Sequence, residues 1–506
     1  MAVCPHRVEG QPADEPIAKR KRAAATNSTD MSARLPEDVL AGVLRRLAPR
    51  FLAASRCVSK AWRAIIDGHR LLRAELLPRS LAGFFVKFQG LRLTEFFSRP
   101  STDDSISGKH DYLPASYNVD SWSSVQDHCN GLLLLATHVL NPATRWCAPL
   151  PPRPRPRMGE TFDYRSHLVY DPTISSHYEV FLIPQFHHNF DHDALPYRSY
   201  RAEFEYDPVV EQSEWPPSTF VLNVFSSKTG RWEERTLVRE GEAAGTIADM
   251  RLNYWSEDQR RAVYWRGVLY VHCQTEFVMR ISVSDNSFQV IKAPIIIEEG
   301  QNLHLGKSEK GVYCALAYER CKVKVWFLDE SCCQIKWTLK HDADLVGRAL
   351  HKIEPVVTYQ NCQRQVRGPW ILQDINHHYY SKYCYNEDDN DIQVAAHEEN
   401  YEWDSKDEKL EWNSDSEDRE ERNYYGNIDI LGFHPYKEII FLGESFERGL
   451  AYHWNSSKVQ YLGHLRPTEY DDLPNELGIQ ESFPYTPCWI RELATEQNNS
   501  GGHDRS

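Results

Sequence analysis

Apolar residues recur along the chain with two different periods. From Leu35 to Ile66, in LPEDVLAGVLRRLAPRFLAASRCVSKAWRAII, the period is helical: Leu40, Val43, Leu44 and Leu47 fall at i, i+3, i+4 and i+7, one apolar stripe. Pro36 stands near the first turn, where its missing N–H costs nothing, and Ala48 and Pro49 stop the helix. A second short helix is predicted to begin near Phe51 and Leu52. A third carries Val58, Trp62, Ile65 and Ile66 at i, i+4, i+7 and i+8 and ends at Gly68. A stretch of about thirty residues cannot build a large core alone, so its leftover apolar surface calls for a partner.

After about Arg79 the pattern changes to short apolar and aromatic runs bounded by Gly, Pro, Asn and Asp, which predicts strands and turns. A degenerate repeat runs through them. GLLLLATHVLNPATRWCAPLP from Gly131, GVLYVHCQTEFVMRISVSDNSFQVIKAP from Gly267, GVYCALAYERCKVKVWFLDESCCQIKW from Gly311 and KEIIFLGESFERGLAYHWNSSKVQYLG from Lys437 each read as strand, polar turn, strand. FVLNVFSSKTGRWEERTL from Phe220 shows the same turn without the leading Gly. HLVYDPTISSHYEVFLI and ILGFHPYKEIIFLG share a strand, an x-Pro turn at Pro172 or Pro435, and a return strand. The turns near Asp285 and Glu330 lie about one propeller-blade period of roughly 45 residues apart. Residues 80–490 are therefore expected to form a β-propeller-like domain of roughly six to eight four-stranded blades. The fold class predicted is mainly β with a small N-terminal all-α module.

Charge adds one boundary to this picture. The chain of 506 residues has a formal net charge of -14, but residues 386–422 hold 16 acidic against 4 basic side chains and so carry -12 of it. That window, with SKDEKLEWNSDSEDREER and Ser414 and Ser416 among the acids, reads as a solvated, disordered insertion. The rest is nearly balanced, which argues against a global nucleic-acid or membrane field. The polar tails 1–32 and 491–506 are also expected to be disordered. Lys19, Arg20, Lys21 and Arg22 in the first tail are a possible nuclear-import run or a plain solvated basic tail.

Candidate chemistry is sparse. Twelve cysteines include no C-x-x-C pair, the N-terminus has no signal-peptide apolar run, and no stretch approaches the roughly 18 apolar residues needed to span a bilayer. A nuclear or cytoplasmic, reducing location is expected. His187, His188 and His192 with Asp191 and Asp193 raise the question of a metal site, but Pro184 and Pro196 and the absence of periodicity predict a loop. PPRPRPR from Pro151 reads as a stiff linker rather than a peptide ligand. Trp146, Trp232 and Trp337 follow repeat turns and read as packing between blades rather than as a sugar platform. No P-loop, G-x-S-x-G, H-E-x-x-H or dinucleotide fingerprint is present, and no cofactor or metal is expected.

Residues 35–66 resemble an F-box, the motif that docks substrate receptors onto the Skp-type adaptor of a cullin-based ubiquitin ligase. The resemblance rests on Leu35 and Pro36, on Leu44, Leu47 and Pro49, and on Arg56, Val58, Ser59, Lys60, Trp62 and Arg63 in the spacing V-S-K-x-W-R. CNGLLLL from Cys129 and NPATR from Asn141 are similar to the opening of the domain associated with plant F-boxes. The resemblance implies an F-box and helical linker over 33–79, with Leu35, Pro36, Leu40, Val43, Leu44, Leu47, Leu52, Val58 and Trp62 shared between the motif's core and its adaptor face. Phe51 departs from the family, which often has Asp or Ser there as an N-cap; the lost cap is worth about 1 kcal/mol unless Phe51 packs against the partner instead.

The function implied is a non-catalytic substrate receptor of an SCF-type ligase, with an adaptor, a cullin beyond it and an unidentified target protein as partners. Two alternatives remain open at this point: an F-box scaffold without a role in degradation, and a propeller hydrolase or lyase in which the F-box-like segment is incidental.

Overall fold

The computed structural model describes residues 36–47, 51–52, 55–56, 58–69, 71, 81–100, 106–114, 125–155, 162–186, 208–252, 261–273, 277–295, 303–331, 334–345, 369–377, 427–445, 447–468 and 478–490. Leu35, the Lys19–Arg22 run, the histidines at 187, 188 and 192 and the acidic window 386–422 lie outside them. The described chain is mainly β, with a helical segment at its N-terminal end.

Helix α1 spans Glu37–Leu44 and helix α2 spans Lys60–Gly68. Pro36, extended at φ -53 and ψ 145, occupies the N-cap of α1, followed by Glu37 and Asp38 in the first turn, where acidic groups oppose the helix dipole. Ser59 caps α2, its Oγ accepting the Trp62 backbone N–H at 3.1 Å. That cap puts Val58 outside the helix, so Val58 does not share a stripe with Trp62, Ile65 and Ile66 as its spacing predicts.

Among the described residues the β region holds six four-stranded antiparallel units, beside a small two-stranded sheet of Glu214–Trp215 with Gly245–Thr246. Unit one combines Ile479–Tyr485 with Gly83–Phe88, Glu95–Ser98 and Ile371–Leu372. Unit two runs in order through Asp127–Cys129, Leu132–Leu134, His138–Asn141 and Trp146–Pro149. Unit three holds Phe162–Tyr170, Tyr178–Phe186, Thr219–Ser226 and Arg231–Glu240. Unit four holds Ala262–Trp265, Val268–Cys273, Phe277–Ser282 and Ser287–Lys292. Unit five holds Leu303–Ser308, Gly311–Tyr318, Lys322–Asp329 and Lys336–Asp344. Unit six holds Ile428–Phe433, Ile439–Glu444, Arg448–His453 and Lys458–His464. Units three and four fuse into one eight-stranded sheet where Val238–Glu240 runs parallel to Ser287–Gln289.

The leading strand of each unit touches the leading strands of its two neighbours, in the order 479–485, 127–129, 162–170, 262–265, 303–308, 428–433 and back. The apolar cores lie between neighbouring units: Phe85, Leu133 and Tyr485 between one and two, Val263, Leu305 and Trp326 between four and five, Tyr313, Ile430 and Tyr452 between five and six. Inner strands such as Leu132–Leu134, Val268–Cys273 and Ile439–Glu444 are buried on both faces and read as apolar runs, whereas the outermost strands Arg231–Glu240 and Lys336–Asp344 are largely exposed.

Unit one is assembled from both ends of the domain. Gly83–Phe88 pairs with Ile479–Tyr485, Phe85 facing Phe483. The CNG and NPATR motifs serve the same closure. Asn141, fully buried, donates through Nδ2 to the carbonyls of Cys488 at 3.0 Å and Ile490 at 3.1 Å. Tyr485 Oη donates to the Gly131 carbonyl and accepts the Ala143 N–H, each at 3.2 Å. Gly131, at φ +88, has no room for a side chain: a Cβ there would stand 2.5 Å from Cys488 Cβ.

Trp232 and Trp337 occupy equivalent places in outermost strands, and each indole N–H donates to a carbonyl at the end of the preceding unit, Pro151 at 3.1 Å and Lys292 at 3.0 Å. Trp146 packs edge-on to Tyr178 of the next unit, centroids 6.4 Å apart. All three sit between units, as their positions after the repeat turns predict.

Candidate docking face and ring centre

Two places in the fold bring chemistry-bearing side chains together: the helical N-terminal segment and the centre of the strand ring. In the first, the candidate residues separate into two groups. Leu40, Leu44 and Leu52 are buried with Ala41, Ile66 and Leu71, and Leu47, Trp62 and Ile65 pack against them. This cluster is continuous with the core of units two to four, so the helices rest on the β region. Full burial of each leucine is worth roughly 1.5–3 kcal/mol.

The second group faces solvent. Val43 is 50% exposed, Phe51 64% and Val58 64%, and Pro36 and Val39 are exposed with them. Pro36, Val39 and Val43 fall at i, i+3 and i+7 along α1, a second stripe beside the buried one. Val43 therefore departs from the single stripe predicted for it. The core side of α1 centres on Leu40, Ala41, Leu44 and Leu47, and the small side chain of Ala41 gives the period count too little weight to reveal this. Gly42 lies between, with open space where a Cβ would be.

The face is braced by polar contacts. Arg56 pairs with Asp67 at 2.9 Å, His69 Nε2 meets Glu37 Oε1 at 3.1 Å to tie α2 to the start of α1, and Ser55 Oγ donates to the Phe51 carbonyl at 2.8 Å. The last bond holds the backbone at Phe51 while its ring projects outward. Trp62 Nε1 has no hydrogen-bond partner among the described residues.

At the ring centre, two cationic side chains reach across to the units opposite. Lys307, of unit five, donates to Asn130 Oδ1 of unit two at 2.8 Å and to the Tyr264 carbonyl of unit four at 3.0 Å. Arg261, just before the leading strand of unit four, donates to the Ser482 carbonyl of unit one at 2.8 Å. Burial pulls the Lys307 ammonium below the usual lysine value, against the pull of Cys129, Asp171 and Asp127. His128 and His304 lie among them. Burial lowers the His128 pKa to about 4, Asp127 opposing and Lys307 and Arg261 adding. Burial, then Arg261 and His128, keep His304 well below the ordinary histidine range.

Sequence reasoning missed these cations. The signal that could have found Lys307 is in LHLGKS, where a period of two puts it on the same side as the buried Leu303 and Leu305. Among the described residues no group of three or more His, Cys, Asp or Glu is placed to hold a metal ion, and no helix is long and apolar enough to cross a membrane.

Comparison with known proteins bears on the helical segment. Residues 33–74 match the F-box domain family. Two F-box proteins of Arabidopsis thaliana are similar to the chain. One is 31% identical over 175 residues, covering 32% of this chain and 39% of the relative. The other is 25% identical over 170 residues, covering 30% and 34%. The matched part thus spans less than half of either relative. A solved prolyl endopeptidase is similar at a TM-score of 0.23 with 10% identity, over 75% of this chain and 35% of that one, a likeness too slight to carry an argument.

Proposed function

Since residues 33–74 are an F-box domain in a chain similar to plant F-box proteins, we propose that this protein is a substrate receptor of a cullin-based ubiquitin ligase. Its F-box docks a Skp-type adaptor and, through it, a cullin; its β-domain holds a target protein. The observation that carries the reading is the exposed apolar set Pro36, Val39, Val43, Phe51 and Val58 on the F-box segment, beside leucines that are already buried. Several large apolar side chains left exposed on one short segment suit a surface that another protein covers. Leu35 belongs to the same motif. In this division Leu40, Leu44, Leu47, Leu52 and Trp62 hold the motif together, and Pro36, Val43 and Val58 meet the adaptor. Phe51 joins them, a large ring suited to anchor an interface.

The six units are the blades of a propeller in this reading, closed by pairing of the first and last strands of the domain. The receptor contributes no acid, base or nucleophile. It raises the effective concentration of the target at the conjugating enzyme. The Lys19–Arg22 run fits a protein that works in the nucleus as well as the cytoplasm.

The test is a pull-down with purified Skp-type adaptor, comparing the intact chain with a Val43→Asp, Phe51→Asp variant of unchanged thermal midpoint. Loss of binding in the variant is expected. Failure of the intact chain to bind would remove the receptor reading.

A further inference from the structure

Lys307 and Arg266 give the ring centre a property that closure of the fold does not require. Both acceptors of the Lys307 ammonium are neutral oxygens, and among the described residues no carboxylate oxygen lies within 4.0 Å of it. The carboxylates that act on it from further away are committed elsewhere. Asp127 accepts the backbone N–H groups of His128 at 2.8 Å and Leu168 at 2.7 Å, and Asp171 Oδ1 accepts from Thr173 N and Oγ1 at 2.9 and 2.6 Å. A largely buried cation without a direct counter-ion carries a desolvation cost, and one N–H of the ammonium is left over for a third acceptor.

The same end of the ring carries a second cation. The Lys307 bonds to Asn130 and Tyr264 bring the ends of the leading strands of units two, four and five together, so the turns that follow two of them lie at one end of the ring: Asn130–Gly131 in unit two, Arg266–Gly267 in unit four. Lys307, near the end of its own strand and bonded to Asn130 and Tyr264, lies there too. Arg266 is exposed, stacks over the Trp265 ring with its guanidinium 4.5 Å from the centroid, and has no carboxylate partner among the described residues. It holds the left-handed conformation at φ 49, as Asn130 does at φ 46. Asn tolerates this region; Arg does so at a cost. Trp265 in turn borders unit five, 3.8 Å from the Cβ position of Gly311, which opens the strand after the Lys307 strand. Nearby, Lys310 and Glu438 neutralise each other at 2.7 Å.

We propose that this mouth of the ring is where the target is held, and that it takes an acidic segment of that protein, one side-chain carboxylate pairing with Lys307 and a second with Arg266 on the Trp265 shelf. The inference deepens the receptor reading and rests on it. Arg and Trp are the residue types that concentrate binding energy at interfaces, and a carboxylate reaching the half-buried Lys307 ammonium forms a charge-assisted bond of the stronger kind.

The probe is an array of twelve-residue peptides carrying two glutamates in otherwise varied sequences, each with a glutamine twin and a phosphoserine twin. It is exposed to the full chain, with and without purified adaptor. The best glutamate peptides are expected to bind at least tenfold better than their glutamine twins, and both Arg266→Ala and Lys307→Met to remove that preference. Arg266, on an exposed turn, can be replaced without unfolding the chain, so it decides the matter if Lys307→Met lowers the thermal midpoint. Equal binding by the glutamine twins, binding by phosphoserine twins alone, or an unchanged preference in Arg266→Ala would each overturn the proposal. Adaptor binding is read separately: its loss in the Val43→Asp, Phe51→Asp variant alongside a retained glutamate preference supports both sites as independent. A chain that prefers glutamate peptides but never binds adaptor supports the acidic-segment site and counts against the receptor reading.

Discussion

The ring of His128 lies stacked on the ring of Phe483, 4.1 Å between centroids and 10° between planes. His128 belongs to the leading strand of unit two, and Phe483 to the last strand of the chain's β region. Their contact is where the circle of leading strands meets. Phe483 also faces Phe85 across the strand pair that joins the two ends of the domain. Phe483→Ala should therefore cost about 3–5 kcal/mol and lower the thermal midpoint by several degrees. The measurement is denaturant unfolding of the full chain; a change below about 1 kcal/mol would mean that closure does not depend on this contact.

In the helical segment the buried and the exposed apolar residues can be tested apart. Leu44→Ala removes a fully buried side chain and should destabilise the F-box by about 2–5 kcal/mol. Val58→Asp alters an exposed one and should leave stability within about 0.5 kcal/mol while weakening adaptor binding at least tenfold. Circular dichroism melts and adaptor titrations on the two variants give opposite patterns if the division is right.

How far the sequence reveals this structure depends on the range of the interaction involved. Hairpins such as 311–318 with 322–329 and both helices follow from local period and turn chemistry. The pairing of residues 83–88 with 479–485 does not, because nothing local in GFFVKF announces a partner some four hundred residues away. The two-sided nature of the docking segment was half legible. Its apolar positions stand in the motif, but the separation of Val43 from Leu44 depends on which side of α1 meets the β region. The cations at the ring centre were hidden for the same reason: Lys307 and Arg261 become neighbours of Asn130 and Ser482 only when units from across the ring meet.

Acid should destabilise the protein through histidines buried in their neutral form. Burial lowers the pKa of His110 to about 4, of His128 to about 4 and of His434 to about 3 from an ordinary 6.5. His434 Nδ1 accepts the Tyr436 N–H at 3.0 Å, a bond that only the unprotonated nitrogen can make. The unfolded chain binds protons at these sites as pH falls below about 6.5, whereas the folded chain resists until the folded values are reached. Their share of stability is thus complete above pH 6.5 and lost as pH falls toward 4. His110 packs against Phe85 and Tyr112, and neither ring nitrogen has a partner among the described residues. His110→Leu should flatten the dependence of stability on pH between about 4 and 6.5 by close to one proton. Urea midpoints across that range check it, and an unchanged slope would show that His110 titrates normally in the folded chain.

The indole bonds between units make a last test of how the β region coheres. Trp337 Nε1 donates to the Lys292 carbonyl while its ring packs on the core between units four and five. The same boundary holds Glu330, which accepts Tyr270 Oη at 2.9 Å and Arg280 Nε at 2.7 Å from unit four. Trp337→Phe keeps most of the packing and removes one hydrogen bond, so it should cost about 1 kcal/mol. Glu330→Gln replaces a charged acceptor that serves two donors, and should cost about 1.5–3 kcal/mol. Both act on one boundary, so the double variant should cost measurably less or more than the two singles added together. Strict additivity in a double-mutant cycle would mean that the two contacts hold units four and five together independently.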